Sequence, residues 1–309
     1  MTEPIQYDDT LWFHFSTPFQ LLGTWKESLG SIRTENFLKS NFLIFAMMPS
    51  QNIEILDGEN KSLAARVKCI YHSLLLQGVA RHRDEAFVIT GANKEGKIEA
   101  RSVAPLYPRF DTWKVISKSI DDEIIRNAVK LSEIIDCVYA DKKKHVRLKD
   151  GFRITIDLLR EYIALERLHQ SVRALEALMK PQIGATKRQF IHRCQTFGGR
   201  SDDARKIYDE IFELRSREEH LNEIDDILEI YGKGKLDYMI FLRACQSELL
   251  VEHAYLSILR KDTIRKFFED DNSIEAFWKM ADDERYRLWG DPLDIVNAIA
   301  ERSDFFVRP

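Results

Sequence analysis

The sequence predicts two folded parts in series: an α+β N-terminal domain over residues 1–118 and an all-α helical bundle over residues 119–309. Three observations predict it. Short apolar runs separated by turn residues crowd the first part, as strands and hairpins require. From about Ser119 onward apolar residues recur three and four apart over long stretches, the period of amphipathic helices. Between the two, Pro105 and Pro108 punctuate a linker.

In the first part, Phe42–Met48 and Ile53–Leu56 have the length and composition of strands, and Ser62–Leu76 has helical spacing through Ala65, Cys69 and Tyr71 or His72. Phe87–Thr90 and Lys97–Val103 flank the polar turn from Gly91 to Gly96. Ile98, Ala100 and Ser102 alternate with charged residues, so a hairpin is expected. In the second part, Ile120–Cys137 carries Ile124, Ile125, Ala128, Leu131 and Ile135. A long helix is expected over residues 152–179, from Phe152 through Leu168 and Leu175 to Met179, stopped by Pro181. Ala185–Phe197 follows and ends at Gly198 and Gly199. Ser201, Asp202 and Asp203 supply an N-cap and an acidic first turn for the next helix. Leu236–Leu259, Ile274–Met280 and Pro292–Ala300 continue the helical pattern to the end.

Composition excludes several classes. Apolar content of 44% with 31% charged residues is that of a globular chain, so disorder is not expected. Net charge is only -4, so nucleic-acid contact would depend on local basic patches. Cys69, Cys137, Cys194 and Cys245 are far apart and form no CxxC pair, as in a reduced, cytoplasmic protein without a structural zinc site. The N-terminus has no basic and apolar leader pattern. Phe42–Met48 is far too short to span a membrane. None of the eight histidines shows HxH or HxxxH spacing, and no metal or other cofactor is expected. Gly91-x4-Gly96-Lys97 nearly spells a phosphate loop. However, Ile98 stands where a hydroxyl should hold magnesium, and a strand pattern follows where a helix is needed.

The residues that carry chemistry lie between Ile207 and His220. Ile207, Ile211 and Leu214 recur at helical spacing, and Arg215 follows four residues after Ile211 against the same apolar face. A guanidinium there needs an acid or a cleft. His220, five residues on, can give and take a proton near neutral pH. Five residues is about 140° around a helix, so the two share a face only with a break or a partner chain. Two basic clusters accompany them. Asp141–Lys149 is a loop cluster. Lys187, Arg188, Arg193, Arg200, Arg205 and Lys206 lead into the Arg215 helix, which makes them the better candidate for an RNA phosphate track.

From about residue 119 to 290 the chain resembles the HEPN superfamily, in particular its Apea-like members. Arg167–Leu178, with its Leu-Glu-x-Leu segment, is similar to the family's long helix, and Phe190–Arg193 to the helix that follows. Arg215, Ser216 and His220 resemble the Arg-x4–6-His motif, and Ile264–Trp278 resembles the closing segment. The resemblance implies a helical bundle that forms a homodimer, with motif helices meeting across a two-fold axis. It implies metal-independent endoribonuclease activity, with Arg215 and His220 as the catalytic pair, Ser216 as the polar residue after the arginine and Glu176 as an acidic partner. Glu218 and Glu219 before His220, and Leu221 and Asn222 after it, depart from the family pattern.

Two functions are therefore expected as alternatives. One is an RNA-cleaving toxin or anti-phage effector, with residues 1–118 as a sensor or specificity module answering to a regulatory protein or ligand. The other is an inactive helical module that binds a protein or nucleotide partner, with Arg215 paired structurally to Glu176.

Overall fold

The structure, a computed structural model, describes backbone and side chains at residues 58, 61–77, 123–158, 161, 163–216 and 236–299, and backbone alone at the other residues of the elements named below. Among the residues described with their side chains, 82% are helical and none lies in a strand. This overturns the α+β domain expected over residues 1–118. Within that range the element described with its side chains is a helix, α1 (Gly58–Leu76). Backbone ladders pair β1 (Ile5–Gln6), β2 (Leu11–His14) and β3 (Leu43–Ala46), and β4 (Ala86–Lys94) with β5 (Lys97–Leu106). Alternation over a few residues is enough to write such a ladder, whereas an α+β domain also requires a sheet face buried in a core shared with a helix. Ile53–Leu56 lies outside the described residues.

The chain divides into two compact units, Met1–Arg109 with Ile120–Ser132, and Phe110–Ser119 with Glu133–Pro309. In the first, α1 buries Ile70, Leu74 and Leu75, and the first half of α2 (Asp122–Ala140) buries Ile125, Ala128 and Leu131. In each case the buried residues recur at helical spacing.

The second unit holds α3 (Val146–Leu158), α4 (Ala164–Met179), α5 (Thr186–Gly198), α6 (Asp202–Glu219) and α7 (Lys233–Arg260). The short α8 (Asp262–Arg265) runs through a 3-10 turn into α9 (Asp271–Lys279), and α10 (Asp282–Trp289) follows. At the centre is α4, which packs against α3, α6 and α7, while α5 packs along α6. Leu168, Val172, Leu175, Leu178 and Met179 of α4 are fully buried, as are Leu250, Val251, Ala254, Tyr255 and Ile258 of α7. Gly151 permits the close approach of α3 to α7. A Cβ there would lie 1.7 Å from the Tyr255 hydroxyl oxygen, which donates to the Ala174 carbonyl at 2.9 Å.

Two expected helices change. The single helix over residues 152–179 is broken into α3 and α4. Glu161 sits in the break: its amide donates to Leu158, its carboxylate accepts the Ile163 amide at 2.9 Å, and its carbonyl accepts from Arg167. Helical periodicity continues across such a break, because the two helices bury faces in one core. Where a helix is expected over residues 292–300, residues 292–294 are irregular and 295–299 form a run of turns, although Ile295 is buried. Among the described residues no helix is long and apolar enough to cross a membrane.

Candidate functional site

Arg215 stands on α6 at the edge of the apolar face formed by Ile207, Ile211 and Leu214, all buried. Its guanidinium passes over the Phe212 ring, with Cζ 5.9 Å from the centroid. Nη2 donates to Oε2 of Glu176 on α4 at 3.1 Å. The arginine on an apolar face thus meets an acid from the neighbouring helix, which offsets the cost of desolvating it. Ser216, the next residue, is half-buried. His220 lies outside the described residues, as do Glu218 and Glu219 at the level of their side chains.

The pair belongs to a ring of three. Arg167 of α4 grips Glu248 of α7 bidentately, Nε to Oε1 at 2.6 Å and Nη2 to Oε2 at 2.5 Å. Arg243 of α7 bonds Glu210 of α6, with Nε to Oε2 at 2.7 Å, and also donates to Gln246. Arg215 of α6 closes the ring on Glu176 of α4. Within the ring each helix contributes one arginine and one glutamate, and each Arg–Glu pair joins a different two of the three helices. Exposure grades round the ring. The Arg167–Glu248 side chains are 1% and 2% exposed, Arg243–Glu210 9% and 17%, and Arg215–Glu176 13% and 18%. Burial alone would lower the Arg167 pKa, but Glu248, with Glu252 beyond it, raises it above the ordinary arginine value.

Sequence reasoning missed Arg167 and Glu248. The available signal was Glu248 and Glu252 flanking the apolar run from Leu249 to Val251, since a carboxylate beside such a stretch in a buried helix needs a cation.

The six residues of the expected phosphate track have different surroundings. Lys187 bonds Asp209 at 2.8 Å and also Glu213, both on α6. Burial alone would lower its pKa, and the two carboxylates more than reverse that. Arg193 donates Nη1 to the carbonyls of Met179 and, at 3.1 Å, Lys180, which closes the C-terminus of α4. Arg200 lies over the Tyr286 ring, 4.0 Å from its centroid, and 3.8 Å from Asp283. Arg188, Arg205 and Lys206 are exposed. The structure therefore brings Lys187, Arg193 and Arg200 into intramolecular contacts and leaves the other three facing solvent.

Among the described residues no three His, Cys, Asp or Glu side chains cluster as a metal site, and the four cysteines are unbridged. No protein-family model matches the chain, and neither a characterised protein nor a solved structure does.

Proposed function

We propose that this chain is a metal-independent, HEPN-type endoribonuclease working as a homodimer in the cytoplasm, with Arg215 and His220 as its catalytic pair. The supporting observation is the position of Arg215. It is the arginine of the most exposed pair in the ring, held by the Glu176 carboxylate from α4 with part of its side chain open to solvent. A guanidinium so oriented can take a phosphate oxygen without being rebuilt. In the proposed reaction a ribose 2′-hydroxyl attacks the adjacent phosphate. His220 moves the proton and Arg215 stabilises charge on the phosphate oxygens. The products carry a 2′,3′-cyclic phosphate, and DNA, which lacks the hydroxyl, survives. Arg188, Arg205 and Lys206, exposed on α5 and α6, are the cations best placed to meet the RNA backbone.

A second reading, an inactive helical interaction module, is favoured by the ring itself. Three Arg–Glu ties of one design make Arg215–Glu176 sufficient as a structural strut. Labelled RNA incubated in EDTA with wild type, Arg215→Lys and His220→Ala decides between them. The nuclease reading expects cleavage by wild type and a loss of at least about 10²-fold in each variant. Folded variants, together with a wild type that cleaves no RNA, would overturn it in favour of the module.

A further inference from the structure

Where α4 ends, a cavity of about 380 Å³ opens between the α4–α5 connection and α9. Its size is at the small end of the range that holds organic ligands. Pro181, Ile183 and the edge of Trp278 supply apolar wall, and Lys180, Arg193, Lys279 and Glu275 supply charge. Ile183 is wholly exposed on its lip, 103% of the reference area, next to Gly184 with φ 83. An isoleucine fully in water gains by burial against a guest.

The charges around the cavity are unbalanced. Lys180 is satisfied, at 2.6 Å from Glu275 and 3.1 Å from Asp271. Lys279 is largely exposed and reaches the same Glu275 at 3.5 Å. Arg193 is half-buried, and its hydrogen bonds go to the two carbonyls at the end of α4. Its charge also faces Arg285, and both guanidinium groups lie over the Trp278 ring, at 5.2 and 5.4 Å from the centroid. Burial and the like charge of Arg285 push the Arg193 pKa down, with Glu275 opposing. A half-buried cation in this position is stabilised by an arriving anion.

We propose that this cavity is a binding site for a small organic acid with a flat apolar body. The acid group lies between Arg193 and Lys279, and the body lies against Pro181, Ile183 and the edge of the Trp278 ring. The proposal is independent of the Arg215 chemistry. Two cations favour a carboxylate over its neutral isostere, while the apolar wall favours a ring over acetate.

The test is titration of the purified full chain with 2-naphthoate, followed by calorimetry, with 2-naphthylmethanol and acetate alongside. Saturable binding of 2-naphthoate is expected, with both comparison compounds at least about tenfold weaker, roughly the discrimination of one charge-assisted contact. Ile183→Asp and Lys279→Glu should each weaken 2-naphthoate by about tenfold or more with unchanged thermal unfolding. Arg193→Gln should remove the preference for acid over alcohol. Because Arg193 also closes α4, the two surface variants keep the test independent of folding. Overturning results are no saturable 2-naphthoate binding, equal binding of acid and alcohol, or wild-type affinity in a folded Ile183→Asp protein.

Discussion

Replacing Arg167 with Met should be among the most damaging single changes in the second unit. The guanidinium and the Glu248 carboxylate are 1% and 2% exposed and share two bonds of 2.6 and 2.5 Å. Arg167 also holds the Glu161 carbonyl at the break between α3 and α4. The substitution strands Glu248 in the core, where breaking a buried pair costs about 3–5 kcal/mol. Loss of the donor to Glu161 adds about 1 kcal/mol or more. Against a typical total stability of about 5–15 kcal/mol, that loss removes at least roughly a quarter of the total and, at the low end of the range, all of it. Arg167→Met with Glu248→Met removes both charges. That double variant should recover most of the loss, leaving it within about 2 kcal/mol of wild type. The assay is urea denaturation of the four proteins of the cycle, with a coupling energy of at least about 2 kcal/mol expected. A single-variant cost under about 1 kcal/mol, or strictly additive losses, would refute the view that desolvation and pairing dominate here. Arg215→Met, in the most exposed pair of the ring, should cost less than Arg167→Met, about 1–3 kcal/mol.

Two further outcomes follow from the packing. His253 has a buried Nε2 without a hydrogen-bond partner, its ring 6.3 Å from that of Trp289, and burial pulls its pKa below 6.5 despite a backbone bond at Asp291, with Lys261 adding to the shift. The unfolded chain then binds the proton more tightly. The stability that neutral His253 contributes is therefore complete above about pH 6.5 and is lost as pH falls from there towards the depressed folded value. Unfolding midpoints between pH 7.5 and 5 should decline in wild type and decline less in His253→Gln. Equal slopes would refute the assignment. Gly151→Ala would place a Cβ 1.7 Å from the Tyr255 hydroxyl and 2.9 Å from the Ala177 Cβ. The overpacking cost of about 1–3 kcal/mol should outweigh the roughly 0.5–1 kcal/mol that alanine gains in a helix, so the midpoint in urea should fall. A rise would mean that α3 shifts freely.

The helical half was largely legible in the sequence because its apolar period is long and repeated. Ile125, Ala128 and Leu131 of α2, Leu168, Val172 and Leu175 of α4, and Ile207 and Ile211 of α6 are all buried as that period requires. Two features escaped. Period cannot show where one helix stops and a second begins in the same core, so the break at Glu161, fixed by a side chain six residues away, was invisible. Ile295, Ala298 and Ile299 are buried at near-helical spacing yet lie in turns. The α+β domain failed for a different reason: alternation over four to eight residues signals local extension and carries no information about a shared core. At the site, the spacing of Ile207, Ile211 and Leu214 foretold a desolvated Arg215, and Glu176 was already the expected acid. The pairings of the other two members of the ring could not be read, since partners 33 and 81 residues apart share no local pattern, although Glu248 beside an apolar run signalled the need for a cation.

Gradation round the ring is what allows structure and chemistry to be separated experimentally. If ties of this kind served only to hold α4, α6 and α7 together, their value would rise with burial, from Arg215–Glu176 through Arg243–Glu210 to Arg167–Glu248. Stability measurements should return that order whatever the function. Activity need not follow it. Under the nuclease reading the least stabilising arginine is the one whose loss removes RNA cleavage, because only a guanidinium reached by solvent can exchange a carboxylate for a phosphate. A variant set spanning Arg167, Arg243 and Arg215 would then show opposite rankings for unfolding and for turnover. Matching rankings would instead mark Arg215 as the third strut of a helical scaffold.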